Sequence, residues 1–74
     1  MNFDTENLKQ ALKTSLIGGF NIIIRNNQIE LEVFRTDFLN APIQIKNENF
    51  NLELHKKYCN SGNFYLSYKL YFTA

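Results

Sequence analysis

From Phe50 to Phe72 the chain alternates apolar and polar residues twice, on either side of Asn60-Ser61-Gly62. A period of two is the pattern of a half-buried strand, and two such runs around a short glycine-containing turn make a β-hairpin. In the first run Phe50, Leu52 and Leu54 share one face, and Asn51, Glu53, His55 and Lys57 share the other. In the second, Phe64, Leu66, Tyr68, Leu70 and Phe72 alternate with Tyr65, Ser67, Lys69 and Tyr71. A three-residue loop with Gly62 in the left-handed region pairs Cys59 with Asn63. Leu54 then faces Tyr68, Leu52 faces Leu70 and Phe50 faces Phe72, while Glu53 meets Lys69 on the far side. A two-residue Ser61-Gly62 turn sets Leu54 against Lys69 and is rejected on that ground.

The rest of the chain supplies one helix and three more strands. Phe3 to Ile17 carries Leu8, Ala11, Leu12 and Leu16 at helical spacing, a narrow stripe suited to lying across a sheet. Asp4 is a suitable N-cap, Phe3 can staple onto Leu8, acids precede lysines as the helix dipole prefers, and Gly18-Gly19 stops the helix. Phe20 to Arg25 and Gln28 to Arg35 form a second hairpin around Asn26-Asn27, read as a type I′ turn. That register pairs Ile24 with Ile29, Ile22 with Leu31 and Phe20 with Val33, and leaves Ile23, Glu30, Glu32 and Phe34 on the opposite face. Asp37 can open a single helical turn. Ile43 to Lys46 reads as a short strand after Pro42, turning at Asn47-Glu48 to set Ile45 opposite Phe50. The expected fold is therefore α+β: one N-terminal helix packed on one face of a five-stranded antiparallel meander. Link length leaves open whether strand two lies beside strand three or strand one beside strand five.

Seventy-four residues make a single domain spanning residues 1–74, which buries only about 60–65% of its unfolded surface. No disulfide can form within a chain holding one cysteine, Cys59, and no Cys/His cluster has metal-ligand spacing, so neither metal nor cofactor is expected. One cysteine and no signal-peptide pattern point to the reducing cytoplasm. The longest apolar run, Leu16 to Ile24, is too short and too polar to cross a bilayer. A net charge of +1 argues against a strongly electrostatic nucleic-acid binder.

Two arrangements suggest catalysis. His55, Glu53, Ser67 and Lys69 meet on the outer face of the last hairpin, and histidine can deprotonate serine when a carboxylate orients it. A flat sheet face offers no pocket and no oxyanion donors, so cross-strand polar pairs are the better account. Cys59 and His55 lie roughly 13 Å apart along an extended strand, too far for proton transfer. No enzyme is expected.

The same face carries Tyr65, Tyr71, Lys57, Lys69 and His55, with Ile23 and Phe34 adding apolar area. Tyrosines among lysines can stack bases, but no RNA-binding motif accompanies them, and Glu30, Glu32 and Glu53 repel phosphate. Tyrosine is equally suited to protein contacts. The expectation is a protein-binding inhibitor or adaptor, with nucleic-acid binding as the alternative. Small size, near-neutral charge and the lack of catalytic motifs are the profile of phage or mobile-element proteins that inhibit a host enzyme, such as anti-CRISPR proteins. That is an analogy of type carried by no motif. The last strand has Lys69 as its only charge, so a homodimer through that strand or the tyrosine face is also expected, unless another strand covers it.

Overall fold

The structure, a computed structural model, describes residues 5–72. The proposed cap and staple at Asp4 and Phe3 lie outside the described residues. Helix α1 spans Thr5–Ser15 and is followed by strands β1 (Phe20–Arg25) and β2 (Gln28–Val33), a short helix α2 (Arg35–Leu39), and strands β3 (Gln44–Lys46), β4 (Phe50–Asn60) and β5 (Asn63–Phe72). All strand pairs are antiparallel, in the order β1-β2-β5-β4-β3. The α+β class holds, but the sheet is not a continuous meander. A β1–β2 hairpin and a β3–β4–β5 meander are joined by β2 against β5, an arrangement neither expected alternative contained. The link 34–43 crosses three strand spacings, about 14 Å, from β2 to the far edge.

Side-chain complementarity accounts for the β2–β5 pairing. Ile29, Leu31 and Val33 face Tyr68, Leu66 and Phe64, so each apolar residue meets another. β5 has one charge along its length and takes the centre, hydrogen-bonded on both sides. It is therefore unavailable as a dimer edge.

The last hairpin unites two features that looked incompatible. Ser61 and Gly62 both take positive φ (53° and 80°) and form the two-residue turn rejected above, with Asn60 opposite Asn63 and Cys59 opposite Phe64. The pairs Leu54–Tyr68, Leu52–Leu70 and Phe50–Phe72 nevertheless form. A β-bulge between Leu54 and Lys56 absorbs the one-residue difference, with His55 as the extra residue.

The β1–β2 register is as expected. Of the two turn residues only Asn26 has positive φ (52°), whereas type I′ asks for it at both. β3 pairs two residues further along than expected, with Ile45 opposite Leu52. Asn47 causes the shift: its Oδ1 accepts the N–H groups of Asn49 (2.8 Å) and Phe50 (3.1 Å) and lengthens the turn. Ile43 is left exposed.

Leu8 and Leu12 of α1, with Leu16 just after it, pack with Ile29, Leu31, Ile45, Leu52, Leu66 and Leu70 in one core. Leu54, expected inside, is half-buried at the bend before the bulge. Neither glycine after α1 has positive φ, so the helix is not stopped by a left-handed cap. Asp37 of α2, itself buried, accepts the N–H groups of Ile17 (3.0 Å) and Gly18 (2.8 Å) and ties the end of α1 to α2. Gly18 is needed for close approach, because a Cβ there lies 2.8 Å from Phe34 Cδ2 and 3.0 Å from Asp37 Oδ2.

Tyr68 is the largest fully buried side chain, and its hydroxyl donates to the Pro42 carbonyl at 2.8 Å, pinning the chain before β3. Burial pushes its pKa up to about 12 from the ordinary 10. An unfolded tyrosine loses its proton near pH 10 while the folded one keeps it. The stabilisation is therefore complete below pH 10 and is lost as pH rises towards 12. Two pK units correspond to about 2–3 kcal/mol. Melting curves through this range should show Tyr68→Phe, which removes the titrating group, losing less stability than the parent. Equal losses would contradict this account.

Candidate protein-contact face

Both helices cover the same side of the sheet. Leu8 and Leu12 of α1 lie on the core, as does Leu16 just after it, and Phe38 of α2 packs on Phe64 with ring centroids 5.0 Å apart. The opposite side carries rows of side chains set by the register. Asn21, Glu32, Tyr65 and Tyr58 form one row; Ile23, Glu30, Ser67 and Lys56 the next; then Arg25, Gln28, Lys69 and Glu53. Tyr71 lies beyond, opposite Asn51.

The bulge decides which β4 residues reach this face. Before it, odd-numbered residues point outward; after it, even-numbered ones do, so Lys56 and Tyr58 join the face and Lys57 leaves it. Lys57 lies opposite buried Leu66, and its Nζ sits 4.8 Å from the Phe38 ring centroid on the helical side. The outward placement expected for Lys57 is corrected accordingly. Phe34 also stands apart from the tyrosines. It follows β2 as the N-cap residue of α2, with its ring against Gly18 and Gly19. Tyr65, Tyr71, Lys69 and Ile23 fall on the outer face as expected, and Tyr71 is about half exposed.

Tyr58 is the residue that alternation missed. Its ring stacks on Tyr65, centroids 5.0 Å apart and planes 19° from parallel, and its hydroxyl donates to Glu30 Oε1. Lys56 Nζ lies 5.0 Å from the Tyr58 centroid on the same surface. The hydrogen bond to Glu30, then burial, raises the Tyr58 pKa above its ordinary value, so the hydroxyl stays protonated as a donor. The signal in the sequence was Lys56, a charge at a position strict alternation reserves for the core.

His55, at the bulge, lines a polar recess of about 230 Å³ with Arg25, Gln28, Glu30, Lys56 and Ser67. Here the structure brings His55 and Ser67 to one place, but with Glu30 rather than Glu53 as the neighbouring carboxylate. Ser67 is buried at mid-strand by the longer side chains around it. Next to Tyr71, Asn51 has its Oδ1 buried without a hydrogen-bond partner, while its Nδ2 donates to Glu53 Oε2 at 3.0 Å. Among the described residues no group of three or more His, Cys, Asp or Glu is placed to hold a metal ion, and no helix is long and apolar enough to cross a membrane. No known protein-family model, curated protein or solved structure matches this chain.

Proposed function

We propose that this chain is a non-enzymatic protein-binding module, an inhibitor or adaptor, which docks a protein partner on the helix-free face of its sheet. The observation that carries the reading is the Tyr58–Tyr65 stack, held by Glu30 and flanked by Lys56. Two large rings fixed before binding give contact area at little entropic cost, which is what interface anchors need. Tyr71, Lys69 and Ile23 extend the same surface. The exposed, unpaired thiol of Cys59 suits a reducing, cytoplasmic setting. A phage-type anti-defence role remains an analogy of size and charge.

Nucleic-acid binding is the second reading, favoured by the lysine that the bulge adds beside the stacked rings. Against it, Glu30 and Glu32 sit in the same rows as Tyr65 and Ser67. Catalysis at His55 and Ser67 is disfavoured because the recess lies on the side of the sheet opposite both helices, where among the described residues no helix N-terminus can hold an oxyanion.

Affinity capture from host lysate, with nuclease treatment and a salt series, tests the reading. A protein retained after nuclease and at moderate salt is expected, and Tyr58→Ala or Tyr65→Ala should each weaken it by about 2 kcal/mol, roughly thirtyfold. Capture that nuclease abolishes, or that falls steeply with salt, makes nucleic acid the partner. Unchanged affinity in both tyrosine variants removes the face from the interaction.

A further inference from the structure

The two edges of the sheet differ in protection. β3 is three residues long and closely follows Pro42, and short edges near proline discourage pairing. β1 is six residues, Phe-Asn-Ile-Ile-Ile-Arg, with no proline, no bulge and one charge at its end. Ile23 is 45% exposed on the outer face and Ile24 is 39% exposed on the helical side. In a two-residue hairpin the residues closing the turn are a hydrogen-bonded pair, here Arg25 and Gln28. Arg25, Ile23 and Asn21 therefore direct their backbone groups towards β2. Phe20, Ile22 and Ile24 direct theirs away from the sheet, a row of donors and acceptors awaiting a strand.

We propose that β1 pairs antiparallel with β1 of a second copy of this chain, about a two-fold axis at Ile23, joining two five-stranded sheets into one. Side chains opposite each other must lie on the same face, so only registers pairing odd with odd and even with even residues are allowed. Centred on Ile23, each Ile22 faces Ile24 of the other copy and the two Ile23 side chains meet on the outer face. The outward backbone groups of Ile22 and Ile24 then bond to one another. Each Arg25 faces Asn21 of the other copy, whose Nδ2 donates to Glu32 Oε1 at 3.1 Å, so the cationic end of one strand meets the anionic row of the other. A register centred on Ile22 sets Asn21 against Ile23 and carries Arg25 beyond the strand. A centre at Ile24 sets Ile23 against Arg25. Charge and polarity thus select a second copy in a single register. The pairing does not rest on the protein-binding reading, because it uses the strand edge and leaves the Tyr58–Tyr65 stack open on both copies.

Light scattering of the purified chain at tens to hundreds of micromolar should give twice the monomer mass. Ile23→Lys, which sets two lysines face to face on the solvent side and leaves the core intact, should return it to monomer mass. In a Cys59→Ser background, Ile23→Cys should oxidise to a disulfide-linked dimer, because non-hydrogen-bonded antiparallel pairs lie about 4.5 Å apart at Cα, within disulfide reach. A parent chain of monomer mass at these concentrations overturns the proposal. So does a dimer that Ile23→Lys leaves intact, or one in which the position-23 cysteines fail to join.

Discussion

Leu52→Ala is expected to cost about 2–5 kcal/mol of folding stability. Leu52 is fully buried near the start of β4, between Ile45 of β3 and Leu70 of β5 and beneath α1. Truncation removes the transfer energy of the lost carbons and leaves a cavity that cross-strand neighbours, held by two ladders, cannot close. A domain of this size rarely has more than about 3–5 kcal/mol from its core, so the variant should be largely unfolded at room temperature. Urea denaturation checks this. A loss below about 1 kcal/mol would mean that the site collapses around the smaller side chain.

Asp37→Ala should cost about 2–4 kcal/mol, an unusual loss for a residue in a five-residue helix. Its carboxylate is the acceptor for two part-buried backbone N–H groups, those of Ile17 and Gly18, and a hydrogen bond to a charged group contributes about 1.5–3 kcal/mol. Asp37→Asn keeps one acceptor oxygen and should lose about half as much. Thermal melts of the pair separate this account from simple helix propensity, under which alanine would be the milder change. If the alanine variant melts at the higher temperature, the α1–α2 tie is not what holds that end of the molecule.

Local periodicity was enough for the five strands, for α1, and for the face that β5 and the first half of β4 turn to the core. The pairs Leu52–Leu70 and Phe50–Phe72 follow from it, because one register alone matches apolar with apolar. The rest depends on contacts distant in sequence. β2 lies beside β5 because Ile29, Leu31 and Val33 find Tyr68, Leu66 and Phe64 after the link 34–43 has crossed the sheet, and no local pattern encodes that crossing. The Asn47 side-chain turn that shifts β3 is local, but asparagine takes part in many turns and its choice shows only in the fold.

The candidate site divides along the same line. Tyr65, Tyr71, Lys69 and Ile23 could be placed from alternation because each lies on an unbroken strand. Lys57 could not, and Tyr58 was missed, because a period-two argument carries one parity along the whole of β4. The bulge at His55 reverses that parity halfway, and it exists because the Ser61-Gly62 turn and the Leu54–Tyr68 pairing each demand a register that the other excludes. Residue type and spacing settle which residues prefer the core and where the chain turns. How those demands are reconciled emerges only when the strands pair, because one extra residue costs less than opening the tight turn or burying Lys69 against Leu54.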